Sequence, residues 1–158
     1  MAEIIPIGKI DPVFSKIKKD GKTIVFTNGC FDIVHAGHID YMDKAKKLGD
    51  VLIVGVNSDD SVKRIKGNAR PIVGLDNRLR LLKGFSVIDY LCVFEEDTPL
   101  ELIKKVKPDI LVKGEDWKDK GVVGEDFVKT YGGKVELIKL LPGISTSIII
   151  DKILKAYK

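Results

Sequence analysis

Apolar residues arrive along this chain in short blocks set between turn formers, and the blocks alternate between two periodicities. Thr23-Ile24-Val25-Phe26 is β-branched and continuous, and Val51-Leu52-Ile53-Val54-Gly55-Val56 is apolar almost throughout. Runs of that kind belong to strands buried on both faces of a parallel sheet. Between them His38, Tyr41, Met42, Ala45 and Leu48 recur three and four residues apart, one face of an amphipathic helix that Gly49 stops. Strand, helix, strand is expected by residue 56, with a crossover of the length that parallel pairing requires.

The alternation continues to the end of the chain. Asn57-Ser58-Asp59-Asp60 caps a short helical stretch, a helix is predicted over Asp76–Gly84, and Tyr90–Phe94 is the third strand. Thr98-Pro99-Leu100-Glu101 reads as a capping box with proline at the first helical position, and that helix ends before Pro108. Asp109–Val112 is the fourth strand and runs into Lys113-Gly114-Glu115-Asp116-Trp117. A helix around 125–131, a Gly132-Gly133 turn and a strand over 134–138 follow. Ser145-Thr146-Ser147 then caps a last helix, whose stripe of Ile149, Ile150, Ile153, Leu154 and Tyr157 is predicted to be buried. Ahead of the first strand, Asp11 as N-cap with Pro12 behind it predicts a helix through about Lys19, in a preamble of residues 1–22 to a core of residues 23–158.

Five strands alternating with helices predict a single α/β Rossmann-like domain: a five-stranded parallel sheet in the order 3-2-1-4-5, with helices on both faces. Ligands of such sheets bind beyond the carboxyl ends of the strands, where the order reverses. That crevice is expected between the first and fourth strands, with the turn at 27–38 facing the loop at 113–117.

Composition narrows the picture a little. A length of 158 residues suits one domain, and 27 basic against 23 acidic residues leave a formal charge of only +4. Without a basic cluster interleaved with aromatics, no nucleic-acid partner is expected. No apolar run approaches the roughly 18 residues of a membrane span, and Met1–Pro6 has no signal-peptide pattern, so no membrane partner and a cytoplasmic location are expected. Cys30 and Cys92 lie far apart, as suits a reducing compartment.

Both histidines of the chain fall in one stretch, Thr27-Asn28-Gly29-Cys30-Phe31-Asp32-Ile33-Val34-His35-Ala36-Gly37-His38. A strand, a turn of small and polar residues and a helix N-terminus make a phosphate site, because the first helical N–H groups lack partners. His35 and His38 are three apart and share a side of the first turn, and Gly37 lets a bulky ligand approach the backbone. Two alternatives stand beside the phosphate reading: His38 lies on the apolar stripe and suits the core, and Cys30, Asp32, His35 and His38 are close enough in sequence to suggest a zinc site. Neither a GxxxxGK[ST] loop nor a GxGxxG fingerprint occurs, which argues against P-loop ATPases and NAD-type dehydrogenases.

Gly29-Cys30-Phe31-Asp32 followed by His35-Ala36-Gly37-His38 resembles the GxFDxxHxGH signature of the cytidylyltransferase-like nucleotidyltransferases, and Gly143-Ile144-Ser145-Thr146-Ser147 is similar to their ISTT motif. Val56–Asp59, Lys63–Gly67, Arg70-Pro71, Phe94–Pro99, Leu111–Gly114 and Gly132–Val135 resemble the ADP-heptose synthases within that family. The arginine that glycerol-3-phosphate cytidylyltransferases carry five residues before the serine is Leu140 here.

The resemblance implies an adenylyltransferase that joins ATP and a heptose 1-phosphate in lipopolysaccharide precursor synthesis, with pyrophosphate released; in many relatives this domain follows a sugar kinase. It implies His35 and His38 as catalytic residues and Cys30, Phe31, Gly37, Lys66, Ser145, Thr146 and Ser147 as nucleotide-binding residues. Asp32, Arg70, Lys113 and Asp116 are implied at the sugar phosphate, Lys63 and Arg78 are weaker candidates, and Trp117 is either a residue that holds the sugar phosphate or frames the base, or a core or rim aromatic. Mg2+ is expected with the ATP, no metal site is expected in the chain itself, and self-association is expected from the family. A glycerol-3-phosphate cytidylyltransferase, an FAD-synthetase-like adenylyltransferase and a non-catalytic nucleotide- or metal-binding module are the alternatives.

Overall fold

The computed structural model describes residues 1–157, which build one parallel sheet with helices on both faces. β2 (Ile24–Gly29) and β3 (Val51–Asn57) form its centre, paired from Ile24↔Val51 to Gly29↔Val56. β4 (Tyr90–Phe94) lies beside β3, while β5 (Ile110–Gly114) and then β6 (Lys134–Ile138) extend the sheet from β2.

The sheet has six strands, not the five expected. A two-residue β1 (Glu3–Ile4) pairs with β4, so the order is β1-β4-β3-β2-β5-β6. Two residues are too few to show a period of two, and this strand is made by the backbone: Glu3 N–H donates to the Asp89 carbonyl and Ile5 N–H to that of Leu91. Residues 1–22 are therefore more than a preamble, since Ala2, Ile5, Ile10 and Phe14 are all buried in the core.

Alternate strand residues feed two hydrophobic layers. Val25, Leu52, Val54, Leu91 and Val112 face α2 (Ala36–Lys46) and α4 (Leu75–Lys83), which add Tyr41, Met42, Ala45 and Leu82. Ile24, Phe26, Ile53, Cys92 and Leu111 face α1 (Ile10–Lys19), α5 (Leu100–Val106) and α6 (Glu125–Lys129), which add Ile10, Phe14, Leu102, Ile103 and Val128. α3 (Asp59–Lys66) follows β3 at the sheet's carboxyl end, capped by the Ser58 hydroxyl accepting from Ser61 N–H.

Three local expectations are corrected. α1 starts at Ile10 with Lys9 as its cap, one residue before Asp11, which instead lies in the first turn where a carboxylate meets the positive end of the helix. The Thr98 capping box does not form: α5 starts at Leu100, and Glu101 pairs with Lys104 on the solvent side. The stripe on α7 (Thr146–Ala156) is not buried; Ile153, Leu154 and Tyr157 are 49%, 53% and 88% exposed, and Ile149 and Ile150 are half-buried. Periodicity reports that a helix has an apolar face and is silent on whether anything covers it.

Phe26 sits fully buried at the middle of β2, directly behind the turn that carries the histidines. Phe26→Ala is expected to lower unfolding free energy by about 3–5 kcal/mol, measured by denaturant unfolding. A loss under about 1 kcal/mol would place this strand outside the core.

Candidate active site

β2 and β5 are paired at Val25↔Ile110 and Phe26↔Leu111, with Asp109 N–H donating to the Ile24 carbonyl just before them. Beyond Phe26, β2 stays paired with β3 to Gly29, while β5 follows β6 to Gly114. The two strand ends part there, at the point where chain order reverses, and open the crevice that this architecture places at its ligand site. Lys113 spans it, its Nζ donating to the side-chain oxygen of Asn28 and lying 3.5 Å from the Asn28 carbonyl.

The turn after β2 is held in an unusual shape. Phe31 has φ 50°, a left-handed backbone at a bulky residue, which costs about 1–2 kcal/mol. Its neighbours are tied on both sides. The Cys30 carbonyl accepts from Arg78 Nη1 at 2.6 Å. The Asp32 carboxylate, 1% exposed, accepts from Ile72 N–H at 2.9 Å, from Val73 N–H at 2.7 Å and from Arg70 Nε. Burial alone would raise the Asp32 pKa, but the Val73 and Ile72 amides and the Arg70 guanidinium outweigh it and hold the carboxyl below its usual range.

His35 then caps α2 in extended backbone and His38 sits in its first turn. His35 N–H donates to His38 Nδ1 at 3.3 Å, so the neutral His38 ring carries its proton on Nε2. Burial, with a smaller contribution from His35, pulls the His38 pKa down to about 4; burial also lowers that of His35. At neutral pH both rings are uncharged, and they lie 4.0 Å apart, centroid to centroid. The Phe31 ring meets His38 edge-on at 5.4 Å. Gly37 leaves little room for a side chain, since a Cβ there would lie 3.0 Å from the His35 ring and the ring would have to shift.

The other expected pieces converge on this turn. Ser145 caps α7 by accepting from Ile148 N–H, and the Thr146 hydroxyl donates to the Ile33 carbonyl at 3.3 Å, which sets the α7 N-terminus against the histidine turn. Ser147 follows, exposed, in the first turn of α7. Lys66 ends α3, close enough to offset part of the rise that burial imposes on the Cys30 thiol. Lys113 is buried, and desolvation lowers its pKa to about 8 against the opposing pull of Asp116. The Nζ atoms of Lys113 and Lys120 lie 5.2 and 5.6 Å from the centre of the Trp117 ring. Lys63 pairs with Asp60 in solvent.

Taken together, two helix N-termini, two imidazoles and the side chains of Lys66, Arg70 and Lys113 gather near the carboxyl end of β2, an arrangement of donors and cations whose chemistry suits phosphate groups. A residue model of the family described as Cytidylyltransferase-like matches residues 26–152. This chain belongs to the Cytidylyltransferase-like family. It is a nucleotidyltransferase. It is 55% identical over 156 residues to the bifunctional protein HldE of Geobacter metallireducens, covering 99% of this chain and 32% of that protein. It is 61% identical over 137 residues to the bifunctional protein HldE of Campylobacter jejuni, covering 87% of this chain and 29% of that one. The chain thus spans about a third of the length of these curated relatives. The crystal structure of the lipopolysaccharide core biosynthesis protein from Thermoplasma volcanium superposes with a TM-score of 0.62 at 32% identity, covering 77% of this chain and 98% of that one.

Within this family site, Asp32 does not face the crevice as a free ligand: both its oxygens are taken by the 70–73 loop. Cys30 Sγ points to Asn57 Oδ1 at 3.9 Å, and among the described residues no group of three or more His, Cys, Asp or Glu is placed to hold a metal ion. The zinc reading of this turn lacks its ligands. Asn28, Asn57 and Asp59 lie in stretches the sequence marks, but their bonds to Lys113, Ser61 and Arg78 are not visible there, because only the fold brings Lys113 and Arg78 near. A polar residue at the end of a buried strand, Asn57 as the last of β3 and Asn28 as the last but one of β2, is a signal that marks two of the three.

The His38 shift has a sign that can be checked. Its folded pKa of about 4 lies below the ordinary 6.5, so the unfolded chain binds more protons between those values and stability rises with pH across that window. Unfolding free energy should therefore fall as pH drops from 6.5 toward 4, and His38→Gln should flatten that slope. An unchanged slope in the variant would remove His38 as its source.

Proposed function

We propose that this domain transfers AMP from ATP to a heptose 1-phosphate, releasing pyrophosphate and giving an ADP-heptose, as a step of lipopolysaccharide precursor synthesis in the cytoplasm. The observation that carries the reading is the pair of neutral imidazoles stacked at the start of α2, beside the capped N-terminus of α7. A triphosphate laid across that junction puts its α-phosphate at the histidines and its outer phosphates at the Ser145–Ser147 amides and hydroxyls. The choice of a heptose is supported by the identity to the HldE proteins and by the lipopolysaccharide core biosynthesis protein of the same shape.

A sugar 1-phosphate is largely dianionic near neutral pH, so its oxygen attacks the α-phosphorus without a general base. The new phosphoanhydride bond forms as the bond to the β-phosphate oxygen breaks, and pyrophosphate leaves with that electron pair. What the chain contributes is alignment and donors for the charge that builds on the α-phosphate oxygens. His38 Nε2–H and His35 are those donors, Lys66 and Arg70 steady the phosphates, and Lys113 with Asp116 receives the sugar phosphate. Mg2+ enters as part of the nucleotide, held by phosphate oxygens and water.

The testing experiment is pyrophosphate release across ATP and CTP paired with heptose 1-phosphate, glycerol 3-phosphate and FMN. ATP with heptose 1-phosphate is expected to turn over fastest, and His38→Ala to lose on the order of 10²–10³ in rate while staying folded. Preference for CTP with glycerol 3-phosphate would overturn the substrate assignment, and near-normal turnover by the variant would overturn the role of His38. The pH profile is a second check. kcat/KM should rise with the second ionisation of the sugar phosphate, near about 6. It should fall above about 8 as Lys113 loses its charge. Lys113→Gln should flatten the alkaline limb; persistence of that limb would assign it to another group.

A further inference from the structure

Arg78 lies on α4 with no exposed surface, the largest fully buried side chain of the protein, and the mechanism above does not use it. Its guanidinium makes two hydrogen bonds, one from each terminal nitrogen: Nη1 to the Cys30 carbonyl at 2.6 Å and Nη2 to Asp59 Oδ1 at 2.8 Å. Nε has no partner, so those two bonds set its orientation. Asp59 is itself fixed, because its other oxygen accepts from Leu75 N–H at the start of α4. A core that needed only volume is filled as well by an apolar side chain, without the desolvation of a cation.

What the buried charge holds is the residue before the left-handed one. Phe31, at φ 50°, stands between Cys30, bound by Arg78, and Asp32, bound by the 70–73 loop. It cannot return to negative φ without breaking one of those ties. In its present pose the Phe31 ring covers Gly29, where a Cβ would lie 3.0 Å from Cζ, and presents its edge to His38. His38 has a hydrogen bond on Nδ1 alone, so the direction of its Nε2–H depends on the groups packed against the ring.

We propose that Arg78 is a positioning residue for the transfer centre: it holds the Cys30 carbonyl so that Phe31 keeps the left-handed pose that packs its ring edge against His38. The proposal rests on the adenylyl-transfer reading only for its kinetic consequence. Its structural consequence belongs to the folded protein and needs no substrate.

The test is Arg78→Lys, which keeps the charge and can reach one partner at a time. With two histidines in the chain, the imidazole Cε1–H region of an NMR spectrum holds two signals, assigned by His35→Gln. The folded variant is expected to shift the His38 signal and to lose about tenfold or more in kcat. Its KM for ATP should stay within about threefold of wild type. A purely structural role lowers the melting temperature and leaves the His38 signal and kcat of the folded protein alone, and that result would overturn the proposal. If Arg78→Lys does not fold, Asp59→Asn loosens the guanidinium while retaining its bond to Cys30. That variant should shift the same signal less far, and an unmoved signal would overturn the proposal. Should wild type release no pyrophosphate with heptose 1-phosphate, the functional reading fails, while the His38 signal still decides the case of Arg78.

Discussion

Everything at the carboxyl end of the sheet depends on one turn being held against its own preference. Phe31 adopts a backbone that costs about 1–2 kcal/mol, and the ties on either side of it are charge-assisted hydrogen bonds worth about 1.5–3 kcal/mol each. The ties win, and winning fixes three things together. Cys30 is drawn toward α4 through Arg78, Asp32 pins the loop that carries Arg70, and the chain enters α2 with His35 and His38 stacked. The loop between α3 and α4 is thereby part of the site, although it lies about forty residues downstream in the chain.

The electrostatics follow from burial. Two imidazoles and a lysine are partly or wholly removed from water, and each is pushed toward its neutral form. For the proposed triphosphate substrate this arrangement has a consequence. The imidazoles donate without carrying charge in the free protein, and the lysine keeps its charge near pH 7 with a margin of about one unit. Donors fixed in a low-dielectric crevice need little reorganisation when charge appears on a phosphate, and in the proposed reaction that is the source of acceleration, with neither a protein nucleophile nor a base in play.

Much of this was legible in the residues. Apolar blocks and their alternation with helical segments marked every strand but one, and the Ser58 and Ser145 caps fell where a hydroxyl before a helix predicts them. The crevice followed from the alternation of elements, and the histidine turn from its own composition. What escaped has a common cause: it is made of contacts between residues distant in sequence. β1 is two residues added to an edge by backbone bonds; Asp32 looked like a ligand until the 70–73 amides took its oxygens; Arg78, a weaker candidate for the site, is turned inward by α4 and bound to Cys30 and Asp59. The exposed face of α7 is the opposite case, a local pattern read correctly as apolar and wrongly as covered.

In the proposed transfer His38 meets the α-phosphate as a neutral ring with its proton on Nε2. Long-range 1H–15N spectra of the two imidazoles at pH 7, with and without MgATP, test it most directly. The expected result is a His38 Nε2–H tautomer in the free protein and a shift of that Nε2–H on adding nucleotide, with Nδ1 still accepting from the His35 amide. A His38 protonated on Nδ1, or imidazole signals that do not move in saturating nucleotide, would contradict it.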